Sequence, residues 1–164
     1  VINILRGNRF TLINNFEQTV NWMLSRGVTP ILAHIERYLR LEKLRFQEDL
    51  QVVYDIQATD FMLPALCIQP LVENAVKHGT SKKEGISTLC ISTRETDNCY
   101  EIEIRDTGAG FDTTLPIDEH KHVGISNIRQ RLKHLCNGTL SIESRIGEGT
   151  TAIIRIPKAE EESI

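Results

Sequence analysis

The sequence predicts an α+β fold, a single mostly antiparallel sheet covered by helices on one face in a two-layer sandwich. Two stretches, Ile86 to Arg105 and Leu140 to Ile156, alternate apolar and polar residues on either side of turn signals, the pattern of β-hairpins. Between and before them, at Ile68 to Val76 and Ile125 to Leu135, apolar residues recur at three- and four-residue spacing, the pattern of half-buried helices. The first 47 residues carry the helical period as well, so a helical hairpin precedes the sheet.

Composition bounds the rest. The chain has 164 residues, 40% hydrophobic and 25% charged, with 19 basic against 22 acidic side chains and a net charge of -3. A chain of that length buries about 68–70% of its unfolded surface and needs no staples. The charge balance excludes a strongly basic nucleic-acid binder, and no nucleic-acid partner is expected. No stretch approaches the roughly 20 apolar residues of a membrane span, and the N-terminus lacks the charge-then-apolar pattern of a signal peptide. The first residue is Val1 rather than methionine, which leads to the expectation of a piece of a longer protein. Cys67, Cys90, Cys99 and Cys136 are widely spaced within apolar or alternating runs, so they read as reduced thiols in a cytoplasmic setting rather than as zinc ligands or a disulfide framework.

Each element has its own signal. Ile13, Phe16, Val20, Met23 and Leu24 define a first helix that Gly27 ends. Thr29 as N-cap and Pro30 at the first helical position open a second, because proline's missing N–H is not needed there. Ile31, Leu32, Ile35, Tyr38, Leu39 and Leu41 give that helix a broad apolar surface that must pack on the rest of the chain or on a second copy. Leu50, Val52 and Tyr54 alternate with Gln51, Val53 and Asp55 as in a strand. Helical spacing is expected from Pro64 to His78, with Ile68, Leu71, Val72, Ala75 and Val76 as its apolar stripe. The Ile86–Arg105 hairpin turns at Asp97-Asn98, and Asp106 to Val123 reads as loop. The helix of Ile125, Ile128, Leu132 and Leu135 ends at Asn137-Gly138, and the last hairpin turns at Gly147-Glu148-Gly149. The acidic run 159–164 reads as a disordered tail.

Four constellations carry polar chemistry. Asn74, Lys77 and His78 lie at i, i+3 and i+4, so an amide oxygen, an ammonium and an imidazole share one helix patch, a set suited to Mg²⁺ and phosphates. Asp106-Thr107-Gly108-Ala109-Gly110 follows a strand. Its carboxylate can only accept hydrogen bonds while ionised, which suits the amino group of adenine, and its glycines let backbone approach a flat ligand. Gly124 and Ile125 open a helix whose free N–H groups favour an anion, with Asn127 and Arg131 four residues apart beside them. Gly147-Glu148-Gly149-Thr150 is a glycine-rich hairpin turn. Singly, each of the four also reads as a solvated face, a cap or an ordinary turn.

In this order and spacing the four resemble the N-box, the two glycine boxes and the final Gly-x-Gly-Thr of the sensor histidine kinases of bacterial two-component systems. The wording Ile68-Gln69-Pro70-Leu71-Val72-Glu73-Asn74-Ala75-Val76-Lys77-His78-Gly79, after His34-Ile35-Glu36-Arg37-Tyr38-Leu39, is similar to the LytS/YehU-type subgroup. The resemblance spans about residues 29 to 157. It implies the GHKL fold shared with gyrase, a heat-shock chaperone and mismatch-repair ATPases. It also implies that residues 48–158 bind ATP and Mg²⁺, and that residues 1–47 belong to the dimerisation and phosphotransfer region. By the same resemblance Asn74 ligates Mg²⁺, Lys77 and His78 lie near the phosphates, and Asp106 takes the adenine amino group. Gly108 and Gly110 shape the pocket wall, Gly124 and Ile125 meet the phosphates, and Asn127, Arg131 and Thr150 complete the set. Residues 112–122 correspond to the ATP lid.

The activity implied is transfer of the γ-phosphoryl group of Mg-ATP to a histidine, then to an aspartate on a response-regulator receiver domain. A homodimeric parent, anchored in the bacterial membrane through segments upstream, is implied too. The acceptor histidine is expected upstream of this sequence, since none of its five histidines has the Asn-Pro-His-Phe setting. The fragment is therefore expected to bind ATP without labelling itself. GHKL members that hydrolyse ATP carry a glutamate four residues before the N-box asparagine, where this chain has Pro70. That favours a kinase over the alternatives, a GHKL-type ATPase or a nucleotide-binding scaffold. Glu73 adjoins Asn74, but helix neighbours point about 100° apart, so no residue is assigned as catalytic base.

Overall fold

The structure, a computed structural model, describes residues 10–11, 30–46, 49–58, 61–64, 66–79, 85–112 and 123–158. The helix expected over Ile13–Leu24, most of the lid and the acidic tail lie outside the described residues. Period-2 alternation becomes five strands: β2 (Leu50–Ile56), β3 (Ser87–Glu95), β4 (Cys99–Asp106), β5 (Thr139–Arg145) and β6 (Gly149–Pro157). With the two-residue β1 (Phe10–Thr11) they form one six-stranded sheet in the order β1-β2-β3-β4-β6-β5. All neighbouring pairs are antiparallel except β2 and β3, which run parallel from Leu50 beside Ser87 to Ile56 beside Thr93. The connection between these parallel strands carries α2 (Gln69–Asn74) and a wider π-type turn over Ala75–Gly79.

One face of each strand supplies the core. Leu50, Val52, Tyr54, Leu89, Ile91, Ile102, Ile104, Ala152, Ile154 and Ile156 are buried in one cluster with side chains from three helices. Helix α1 (Pro30–Phe46) contributes Ile35 and Leu39, α2 and its turn contribute Ile68, Leu71, Val72, Ala75 and Val76, and α3 (Val123–Cys136) contributes Ile128 and Leu132. The expected two layers are present, and all four described cysteines are free thiols.

Several expectations need correction. Phe10 and Thr11 pair with Tyr54 and Val53 instead of continuing a helical segment, because the edge of β2 offers backbone groups for another strand to pair with. The helix expected from Pro64 begins only at Gln69. Leu66 stands at φ 62°, a left-handed conformation that no helix propagates through, and Pro70 occupies the first turn, where proline is tolerated. In α3, Leu135 is 69% exposed: at 100° per residue it falls about 60° from the fully buried Leu132, in the last turn. Leu41 is 61% exposed, so the covered stripe of α1 is narrower than its composition suggests.

Helix α1 is fixed to the sheet by more than apolar contact. Tyr54 donates its hydroxyl to a Glu36 carboxylate oxygen at 2.6 Å. Burial, then the Glu36 charge and this hydrogen bond, hold the Tyr54 phenol well above its ordinary pKa of 10.0. On the same helix, burial and the carboxylates of Glu42 and Glu73 push Tyr38 up to about 12.

A group whose folded pKa is raised contributes stability below its unfolded pKa and loses it as pH climbs above that value. Tyr54→Phe should therefore cost about 1–2 kcal/mol at pH 8, where the hydrogen bond to a charged acceptor is lost. It should also flatten the fall in stability above pH 10 relative to the unsubstituted chain. Urea unfolding at pH 8 and pH 11 measures both, and parallel pH slopes in the two proteins would count against the assignment.

Candidate functional site

The central strand β4 ends in Asp106, flanked by Leu89 of β3 and Thr150 of β6. Its side chain shares the helix-covered face with Ile102 and Ile104, and the residue is only 5% exposed. One carboxylate oxygen accepts the Gly108 N–H at 2.8 Å, which turns the chain sharply after the strand. An ionised carboxylate offers about four acceptor positions, so this bond leaves capacity for other donors.

The glycines around Asp106 are there because backbone touches backbone. A Cβ on Gly108 would lie 2.1 Å from the Gly79 Cα, and a Cβ on Gly79 would lie 2.7 Å from an Asp106 carboxylate oxygen. A Cβ on Gly149 would meet the Asp106 carbonyl at 2.0 Å, and one on Gly110 would meet the Arg145 carbonyl at 1.9 Å. The N-box turn, the Asp106 loop and the last hairpin are thus locked into one corner. Hydroxyls lace it further. Thr107 N–H donates to the Thr88 carbonyl at 3.0 Å, and Thr88 N–H donates to the Thr107 hydroxyl at 2.9 Å. Ser144 accepts the Phe111 N–H at 2.9 Å and donates to the Gly149 carbonyl at 3.0 Å. A hydroxyl has one proton, so across the 2.9 Å contact of Ser144 with Thr150 it is Thr150 that donates. Gly147 N–H closes the set on the Ala109 carbonyl at 2.7 Å.

Of the residues singled out from sequence, Asp106, Gly108, Gly110 and Thr150 therefore meet at this corner. Asn74, Lys77 and His78 are exposed on the end of α2 and the π-type turn that Gly79 ties to it. Gly124 and Ile125 lie in the first turn of α3, where N–H groups lack intrahelical partners, with exposed Asn127 following. Arg131 lies about 10 Å further along the helix, close enough to Cys67 for its charge to oppose the upward shift that burial gives that thiol. Gly79 and Gly149 were within reach of the sequence, since each sits inside a quoted motif. Ser144 carries no such signal: its role comes from the β5–β6 register, which places it opposite Thr150.

Among the described residues no group of three or more His, Cys, Asp or Glu converges as a metal cage. A divalent cation at Asn74 would rest on one protein oxygen and take its other ligands from phosphate and water, the arrangement Mg²⁺ favours.

The glycine contacts are unequal. Gly108→Ala drives a methyl into Gly79 backbone and should destabilise the fold by about 3 kcal/mol or more. Gly79→Ala meets first the Asp106 side chain rather than backbone, and should cost about 1–2 kcal/mol, the price of a disturbed buried hydrogen bond. Urea unfolding of the two variants checks the order, and equal losses would contradict the geometry.

Residues 59–160 match the family model described as histidine kinase-, DNA gyrase B-, and HSP90-like ATPase. The YwpD protein of Bacillus subtilis (strain 168) is 43% identical over 136 residues, which cover 79% of this chain and 49% of that protein. The sensor histidine kinase YpdA of Escherichia coli (strain K12) is 35% identical over 133 residues, covering 77% of this chain and 23% of the kinase. The chain thus spans about half of the first relative and about a quarter of the second. The histidine kinase domain of the Erythrobacter litoralis EL346 blue-light activated histidine kinase superposes with a TM-score of 0.61 at 17% identity, over 80% of this chain and 62% of that one, which is a likeness of fold. With the family model covering well over half of its residues, the chain belongs to the histidine kinase-, DNA gyrase B- and HSP90-like ATPases.

Proposed function

We propose that residues 48–158 are the ATP-binding catalytic domain of a LytS-type sensor histidine kinase. In this reading the γ-phosphoryl group of ATP passes to a histidine, and from there to an aspartate of a response-regulator receiver domain. The observation that carries it is the Asp106 corner, a buried carboxylate at the end of a central strand, walled by glycines whose missing side chains keep it narrow and flat. A carboxylate beside such walls accepts from the amino group of adenine and repels the carbonyl that guanine presents at the same place.

The residues present fit the remaining parts. Asn74 supplies the single protein oxygen for Mg²⁺, and the metal would neutralise phosphate charge as the γ-phosphoryl group leaves. Lys77 and His78 follow on the same exposed turn as cationic or donor neighbours of the phosphates. The N–H groups at Gly124 and Ile125, reinforced by the α3 dipole, favour phosphate oxygens, with Asn127 and Arg131 adding a donor and a positive charge along that helix. Thr150 is held by Ser144 beside the base site. Attack by an imidazole nitrogen on the γ-phosphorus forms the N–P bond as the bond to the bridging oxygen breaks and ADP departs. Such a step depends on positioning and charge neutralisation more than on a protein base. Pro70 stands where ATP-hydrolysing relatives are expected to carry a glutamate, so phosphoryl transfer is favoured over hydrolysis.

Residues 1–47 are read as part of the dimerisation and phosphotransfer region, with α1 seated on the catalytic core through Ile35 and Leu39. Among the described residues no helix is long and apolar enough to cross a membrane. We assign the domain to the cytoplasmic side of a membrane-anchored, homodimeric parent.

Calorimetry tests the site. The chain should bind Mg-ATP at least tenfold more tightly than Mg-GTP. Asp106→Asn should remove that preference with the fold intact, because an amide nitrogen donates where the carboxylate accepts. Asn74→Ala should abolish the Mg²⁺ dependence of ATP affinity. Equal ATP and GTP affinities in the unsubstituted chain would refute the reading, and sustained phosphate release from ATP would favour the ATPase alternative.

A further inference from the structure

We infer that Ser87 is a second polar group of the base-binding corner, a hydroxyl that the purine end of the nucleotide engages together with Asp106. The inference rests on the nucleotide-site reading above and extends it to a residue that no motif singles out.

The observation behind it is an orphan. Ser87 is 1% exposed, and among the described residues its buried hydroxyl oxygen has no hydrogen-bond partner. Two other buried hydroxyls are satisfied: Thr93 donates to the Ala58 carbonyl at 2.6 Å and accepts the Ala58 N–H, while Ser144 is engaged at the corner. A buried hydroxyl without a partner is costly, and a fold that keeps one calls for an explanation.

Register places that orphan. Leu89 of β3 stands opposite Asp106 of β4, and the next residues, Thr88 and Thr107, exchange two hydrogen bonds. The residue before Thr88 on β3 is Ser87, which stands beside Leu50 of β2. Side chains two apart on a strand share a face, so Ser87 and Leu89 project on the same side as Asp106, toward the helices.

Asp106 is itself nearly buried, so a base that meets its carboxylate does so at this end of the sheet, on the face that Ser87 shares. A hydroxyl can donate to a ring nitrogen of adenine or accept from its amino group, directly or through one water, and so gains the partner it lacks without nucleotide. The nucleotide-free form carries an unmade hydrogen bond that ligand binding makes.

This combination has a signature that a structural serine lacks. Removing a hydroxyl that has a partner destabilises a protein, whereas removing an unpartnered buried one does not. Ser87→Ala should therefore keep or raise the thermal midpoint of the nucleotide-free chain. The same substitution should weaken ATP and ADP alike by about fivefold, the worth of one hydrogen bond at the base end that both share. Differential scanning fluorimetry and isothermal titration of ATP and ADP on the whole chain provide the readouts, with Asp106→Asn measured alongside. A lowered midpoint in Ser87→Ala, or unchanged affinities, would overturn the inference. If Asp106→Asn loses ATP while Ser87→Ala binds as tightly as the unsubstituted chain, the role of Ser87 fails and the nucleotide site stands. If Asp106→Asn also binds ATP normally, the site reading fails and the Ser87 inference with it.

Discussion

The closeness of the Gly79 and Gly108 backbones above the Asp106 carboxylate is the constraint on which the rest of the site depends. Two chain segments touch at Cα, which only residues without a Cβ allow, and the carboxylate beneath is thereby both buried and narrowly bounded. Moving either segment outward would widen the corner and hydrate the acid. Moving Asp106 along β4 would break its pairing with Leu89 on one side and Thr150 on the other. Strand register therefore sets the position of the acid, and glycine sets the width of the space around it.

The last hairpin does the complementary work. Gly149 lies against the Asp106 carbonyl, so β6 approaches β4 at its very end as closely as it does along its length. Ser144 ties the turn carrying Phe111 to that hairpin, and its bond to Thr150 orients a hydroxyl that no sequence motif would orient. A loop that supplies a ligand wall must leave its regular strand and still have its backbone groups paired. Here the partners are the Thr88 carbonyl for Thr107, the Asp106 carboxylate for Gly108, the Gly147 N–H for Ala109 and the Ser144 hydroxyl for Phe111.

How much of this could be read in the residues follows from range. The hairpins and their faces were legible because alternation is local, and Leu89, Ile91, Ile102, Ile104 and Ile154 are buried as it demands. Asp106, Gly108, Gly110 and Thr150 were legible because the motifs that carry them are contiguous. The late start of α2 was not, since nothing local reveals that Leu66 takes a left-handed conformation. Nor were the exposures of Leu41 and Leu135, because an apolar stripe records what a helix could bury, while the width of the sheet decides what it does bury. Ser87 and Ser144 are ordinary serines in sequence; only the cross-strand register gives each its neighbours.

Glu73 shows how packing can decide chemistry. It adjoins Asn74, the residue proposed to hold Mg²⁺, and a carboxylate there would be the natural candidate to activate water. Its carboxylate oxygen instead accepts the Gln69 side-chain amide at 2.8 Å, and its charge is felt by Tyr38 of α1. Glu73 is thus half-buried and engaged within α2, while its neighbour Asn74, about 100° round the helix, is exposed. With the Glu73 carboxylate held by Gln69 and proline at position 70, the proposed site has no water-activating carboxylate assigned on α2. What α2 and the π-type turn after it expose is an amide oxygen and the groups of Lys77 and His78, which in the proposed reading hold a phosphate chain in place for an external nucleophile.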